Sequence, residues 1–432
     1  MLKTLTQIWH AKDLRKKILF TLGIVVVFRL MTHITLPGVN LDALKVVFEQ
    51  NKLLGAFSLL TGGSAENFSI VLMGLSPYIN ASIIVQLMTV VSTKLESISK
   101  EGEEGRRKIN RYTRWLALPL AFLQSYGMIS LMNASAPIPI VENLNDLSVL
   151  LPLMITISTG TIVLMWLGEL ITEKGIGNGI SILIFAGIMA GIPSLLASTL
   201  ALTEQDNAKL IPLVATVLMT ILFVVVIILI TEGQRRIPIT YAGQGKGLKG
   251  GDSNLPIRIN QAGMIPIIFA VSVVTFPSVI GQFLINAKSE WVQSVGNFFI
   301  TYFQSQSLLY MVLYFLLIIG FTFFYVSITF NTDNVAENIQ KRGGFIPGIR
   351  PGKETSEYLK NVSNRLNLWG GLFIALVAVS PIIIQQVFQD FGTGGIPVII
   401  SGAGLIIVVG VVLDLVRQVN AQMVSHHYDR FY

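Results

Sequence analysis

The chain has no cysteine among its 432 residues, which rules out disulfide frameworks and thiolate metal sites. Its four histidines do not make a ligand set: His10 and His33 are far apart, and the adjacent His426 and His427 lack the i, i+4 spacing that puts two imidazoles on one helix face. No metal and no cofactor is expected. Charge is scarce too, at 13% Asp, Glu, Lys and Arg, roughly half the share of a soluble domain. The chain lacks a Gly-x-Ser-x-Gly elbow and a His-Glu-x-x-His pair, so neither a nucleophile nor a metal-bound water is in view. Gly245-Lys246 superficially suggests a phosphate loop. Residue 247 is Gly rather than Ser or Thr, however, and Thr240 stands where the first Gly belongs. Direct nucleotide binding and enzymatic activity are therefore not expected.

What the chain does have is apolar residues, at 52%, with a mean hydropathy of +0.66. They gather into ten nearly uncharged stretches, at residues 18–36, 70–92, 115–133, 149–168, 179–201, 210–231, 263–285, 308–330, 366–388 and 396–416. Each is close to the roughly 20 residues that cross about 30 Å of hydrocarbon as helix. Runs such as Ile221 to Ile230 are apolar on every face, which suits helices and not the alternating strands of a barrel. The first stretch ends at Leu36-Pro37-Gly38 without a small-x-small cleavage site, so a retained first span is expected.

The basic residues alternate in register with these spans. Of 31 Lys and Arg, 26 fall at the termini and in the loops after even-numbered spans, whereas only Lys45, Lys52, Lys209 and Lys288 fall on the other side. The positive-inside rule then puts both termini in the cytoplasm. Nucleic acid is a poor explanation of the pI near 9.4, because aromatics do not interleave with the basic loops. Two loops on the basic side, 232–262 and 331–365, are long and rich in Gly and Pro, and loops of that length usually carry function. Ten spans divide into five and five, and an odd number per half inverts any internal repeat.

Ionisable groups are nearly absent from the spans; Arg29 and His33 are expected to snorkel or pair near the outer end of span 1. That bareness argues against ion-coupled transport of a small solute. The polarity present is amide and hydroxyl: Ser76, Asn80, Ser82 and Gln86 in span 2, Gln124 in span 3, and Asn260 and Gln261 at span 7. Such groups bond across helix interfaces.

Several longer motifs are more specific. Ser76-Pro77-Tyr78-Ile79-Asn80-Ala81-Ser82-Ile83-Ile84 opens span 2, and Glu101-Gly102-Glu103-Glu104-Gly105-Arg106-Arg107-Lys108 follows it. Met165-Trp166-Leu167-Gly168-Glu169 precedes Gly175-Ile176-Gly177-Asn178-Gly179-Ile180-Ser181. Gln234-Arg235-Arg236-Ile237-Pro238 and Phe345-Ile346-Pro347-Gly348-Ile349-Arg350-Pro351-Gly352 lie in the two long basic loops. In this order, along essentially the whole chain, they resemble the SecY family, the pore subunits of the bacterial Sec protein translocase. Small departures are Leu75, where Ile is frequent, and Thr332, where Pro is common.

The resemblance implies an all-α membrane protein of ten transmembrane helices, in two inverted five-helix halves at 1–202 and 203–432 around an hourglass pore. It implies a protein-conducting channel of the bacterial cell membrane that passes unfolded secretory polypeptides and signal peptides, and releases apolar segments into the lipid bilayer. The implied partners are the SecE and SecG subunits, the SecA motor ATPase and the ribosome. By resemblance, the pore ring falls on Leu75, Ile79, Ile180, Ile184, Ile268 and Ile407, with Leu405 and Ile406 equally apolar beside the last. A plug, a short helix, falls on Phe57 to Asn67 with Thr61, Gly62, Gly63 and Ser64. The lateral gate falls on Asn80, Gln124 and Asn260, and docking of motor or ribosome on Arg236 and Arg350. The i, i+4 spacing within Leu75/Ile79 and Ile180/Ile184 suits a ring, since each pair shares a helix face.

Overall fold

The computed structural model describes residues 11–44, 63–136, 138–141, 146–205, 210–241, 253–285, 289–304, 307–390 and 401–428. Its helices are α1 (Lys12–Met31), α2 (Ser76–Val91), α3 (Thr93–Lys100), α4 (Glu103–Ser135), α5 (Leu147–Lys174), α6 (Gly179–Gln205) and α7 (Leu210–Glu232). Two strands follow, β1 (Gln234–Tyr241) and β2 (Ser253–Arg258), and then α8 (Ile265–Leu284), α9 (Glu290–Tyr302), α10 (Leu308–Thr329) and α11 (Thr332–Lys341). The chain continues with β3 (Gly344–Phe345), α12 (Lys353–Asp390) and α13 (Gly402–Tyr428). A helix overlies each of the ten apolar stretches. Among the described residues, six helices are by themselves long and apolar enough to cross a membrane, and α2 with α3, bent by 107°, makes a seventh candidate. The fold is that of an all-α membrane protein with one small sheet. Along α1 and α7, side chains such as Leu30, Leu218 and Leu229 are more than half exposed, which is the surface that hydrocarbon solvates.

The described residues form two compact units: Met1–Lys209 with Thr275–Tyr310 and Val411–Tyr432, and Leu210–Val274 with Met311–Gly410. In the first, α4 and α5 pack on a core that includes Leu72, Met128, Ile129, Met132, Leu153 and Ile157. Here the structure departs from the expected span 2, since residues 70–75 are turns and helix begins only at Ser76. The cause is a competing set of backbone partners. Leu72 N–H donates to the Ser69 carbonyl at 2.9 Å and Gly74 N–H to the Val71 carbonyl at 2.8 Å, turns that replace the helical bond to the fourth residue back, while Ile70 N–H is held by the Ile34 carbonyl at 3.0 Å. Phe68 and Gly74 also take positive φ, at 43° and 54°, a conformation no helix accepts. Pro77 then stands in the first turn of α2, where a missing N–H costs nothing. Gly160 of α5 makes this approach possible: a Cβ there would lie 2.0 Å from the Ile70 carbonyl oxygen.

In the second unit, the two long basic loops fold together. β1 pairs antiparallel with β2, Ile237 opposite Leu255, and with β3, Thr240 opposite Phe345, in the order β2-β1-β3. Alternation along β1 buries Ile237 and Ile239 and leaves Arg236 outside. The buried side chains join Ile257, Ile339, Ile346, Leu359 and Val362 in a core of their own. α11 is capped by Asn331, whose side chain accepts from Asn334 N–H at 3.0 Å. It is tied to α12 by the Ser356 hydroxyl, which donates to Asp333 at 2.5 Å.

Candidate functional site

In the first unit, Leu75 is the N-cap of α2, and Ile79 lies one turn on, its N–H donating to the Leu75 carbonyl at 3.0 Å. Leu75 is buried and Ile79 half-buried. Ile180 and Ile184 open α6, and the glycine motif sets their direction. A Cβ at Gly179 would lie 1.9 Å from the Gly168 carbonyl oxygen of α5, so only glycine permits the crossing. Gly177 at φ +86° makes the turn, in the left-handed region that glycine enters without strain. Asn178 Oδ1 then accepts from Ile180 N–H at 3.1 Å and serves as the N-terminal cap. Thr172 Oγ1 accepts from Gly179 N–H at 2.9 Å, and Thr21 Oγ1 of α1 accepts from Ile176 N–H at 3.1 Å. The turn is thus held from two helices. Ile180 rests against Gly168, with 3.1 Å from its Cγ1 to the place a Cβ would take, and Ile184 is buried.

Ile268 and Ile407 belong to the second unit. Ile268 is half-buried in the first turn of α8, and Ile407 is buried near the start of α13, as are Leu405 and Ile406. α13 begins against α12: a Cβ at Gly402 would lie 2.4 Å from the Val377 carbonyl oxygen.

Thr61 and Gly62 lie outside the described residues. Gly63 turns at φ +79°, and Ser64 is fully buried with its hydroxyl 3.4 Å from the Leu72 carbonyl. The described part of the expected plug, 63–67, is turn rather than helix. It is pinned where Asn67 Nδ2 donates to the Thr32 carbonyl at 3.2 Å.

Of the amides expected at a gate, Asn80 on α2 and Gln124 on α4 are half-buried in the first unit. Gln124 Oε1 is buried with no hydrogen-bond partner among the described residues. Asn260 is in the second unit, where its Oδ1 accepts from Gly263 N–H at 2.9 Å and caps the turn into α8. Sequence reasoning reached Gln261 but missed its partners, which lie more than a hundred positions away. Gln261 Oε1 accepts from the Ser363 hydroxyl at 3.0 Å, and Asn367 Nδ2 donates to Ser363 Oγ at 3.3 Å. Another long-range contact went unread, between Arg114 of α4 and Glu169 of α5 at 3.1 Å.

Arg236 and Arg350 are both exposed. The loop carrying Arg350 turns at Gly348 and Gly352, at φ +82° and +99°. The Thr355 hydroxyl donates to the Arg350 carbonyl at 2.8 Å, which fixes the backbone while the side chain stays 87% exposed, 3.9 Å from Glu354. An exposed Arg on a fixed backbone presents its planar fork to carboxylates or phosphates.

A sequence model of the SecY family matches residues 69–416. The protein translocase subunit SecY of Streptomyces scabiei is 38% identical over 451 residues, covering 100% of both chains. A solved SecY structure, in which the plug domain is described as stabilising the closed state of the translocation channel and maintaining a membrane seal, matches at a TM-score of 0.68 and 18% identity, covering 95% of this chain and 93% of that one. Sec61 in a canine ribosome–channel complex from the endoplasmic reticulum matches at 0.64 and 18%, with the same coverage. The structural likenesses speak for the fold and the full-length relative for descent, and together with the family match they show that this chain belongs to the SecY family.

Proposed function

We propose that this chain is a protein-conducting channel of a bacterial membrane, which passes unfolded secretory polypeptides and releases apolar segments sideways into lipid. The observation that carries the reading is full-length similarity to a protein translocase subunit. The site's chemistry agrees, since its residues are aliphatics, amides and hydroxyls. The pore ring is Leu75, Ile79, Ile180, Ile184, Ile268 and Ile407, a gasket that blocks ions by dewetting and deforms around a passing chain. The inverted halves are 1–202 and 203–432. Residues 57–67 plug the resting pore, and Asn80, Gln124 and Asn260 line the lateral gate.

Both termini and the loops at 232–262 and 331–365 face the cytoplasm, as the basic asymmetry supports. Arg236 and Arg350 dock the SecA motor or the ribosome, and SecE and SecG complete the assembly. The channel is passive, with energy supplied by the partner. Arg350→Glu therefore stops motor-driven export in reconstituted vesicles while membrane insertion and subunit assembly persist. Normal export by that variant would refute the docking role, and uptake of a small solute without any cytosolic motor would refute the channel.

A further inference from the structure

The chain between α8 and α10 forms a helix of its own, α9, whose 13 residues are too few to cross a bilayer. At 3.6 residues per turn, α9 has three distinct faces. Val292, Gly296, Phe299 and Ile300 form the first, which packs on the end of α8. A Cβ at Gly296 would lie 2.8 Å from the Gly281 carbonyl oxygen, and one at Gly281 would lie 2.8 Å from Phe299 Cβ. Glu290, Gln293, Asn297 and Thr301 form the second, polar and exposed. Trp291, Val295, Phe298 and Tyr302 form the third. Trp291 is 75% exposed, Phe298 48% and Tyr302 49%, and the Phe298 and Tyr302 rings stand 4.7 Å apart.

We propose that α9 lies in the plane of the membrane as an interfacial anchor, on the side opposite the basic loops, with Trp291, Phe298 and Tyr302 at the boundary of headgroups and acyl chains. Its neighbours indicate lipid as the occupant. α9 joins the ends of two helices read as spans 7 and 8, and the exposed apolar surface continues on both sides of it, at Phe276 of α8 and at Leu308 and Leu309 of α10. Trp and Tyr favour that boundary because an apolar ring and a polar tip are satisfied together. The polar face then meets water and the glycine face meets protein. α9 holds no Lys or Arg and a single acid, Glu290, so anionic lipid adds nothing to the contact. The inference depends on spans 7 and 8 crossing the bilayer and not on what the pore conducts.

Because the chain has no cysteine, single spin labels report each face directly. In the full chain, reconstituted with its co-purifying subunits in zwitterionic proteoliposomes, labels at Phe298→Cys and Tyr302→Cys should collide several-fold more with oxygen than with a water-soluble nickel chelate. Labels at Gln293→Cys and Asn297→Cys should show the reverse, and added anionic lipid should leave the pattern unchanged. Equal nickel access at all four would place α9 in water and overturn the proposal. Exclusion of both reagents from 298 and 302 would mean that a protein covers the face, which overturns it too. A chain keeping Trp291 as its only tryptophan reads the depth without altering the stripe; it should be quenched strongly by lipids brominated near the headgroup, and absence of quenching counts against the anchor.

Discussion

Single residues matter most where backbones touch. Gly179 and Gly160 each leave no room for one more carbon, with 1.9 Å and 2.0 Å to carbonyl oxygens of a neighbouring segment. Overpacking of this kind costs about 1–3 kcal/mol when the surroundings can shift. Backbone atoms shift less readily than side chains, so Gly179→Ala should lie at or above the top of that range. Its expected outcome is a lowered thermal unfolding midpoint of the purified protein in detergent, together with impaired channel activity, because the residue also aims Ile180 and Ile184. Gly102→Ala, at φ +76° but with open space around it, should be the milder variant, strained only through its own backbone. The glycine motif was conspicuous in the sequence. Which glycines bear a close approach and which merely turn was not, since for Gly179 that depends on a carbonyl of the preceding helix, eleven positions back.

Among elements, the three-stranded sheet has the clearest consequence. It joins two loops separated by three helices in sequence, and Ile237 of one loop is buried with Ile339, Ile346 and Leu359 of the other. Ile237→Ala should cost about 2–4 kcal/mol of local stability and loosen both loops at once. Limited proteolysis of membrane vesicles should then cut within 331–365 although the substitution is at 237; cleavage confined to 232–262 would show that the loops are independent. The sequence marks 232–262 and 331–365 as long loops rich in Gly and Pro, but not the strands that the structure places within them. Strand pairing between distant segments leaves no local mark. The proposed plug belongs to this scale as well. Deleting residues 57–67 should make the resting pore leak ions, at least transiently, and unchanged conductance in planar bilayers would count against a plug.

For the whole molecule, the orientation in the membrane is open to direct measurement. A membrane-impermeant maleimide added to intact cells should label Ser294→Cys on α9 and leave Glu357→Cys on α12 unlabelled until the membrane is opened, both positions being exposed. The opposite pattern would invert the topology and move the proposed docking surface with it. Ten apolar stretches, their helical state and the one-sidedness of the basic loops were all determined by the sequence, because bilayer thickness and charge placement act on residues counted along the chain. Family motifs carried the function for the same reason. The tertiary structure alone decided that residues 70–75 turn instead of coiling, that Gln261 bonds through Ser363 to Asn367, that Arg114 meets Glu169, and that the basic loops share one core. Each of these is a contact between segments far apart in sequence, where competing hydrogen-bond partners and available space outweigh local propensity.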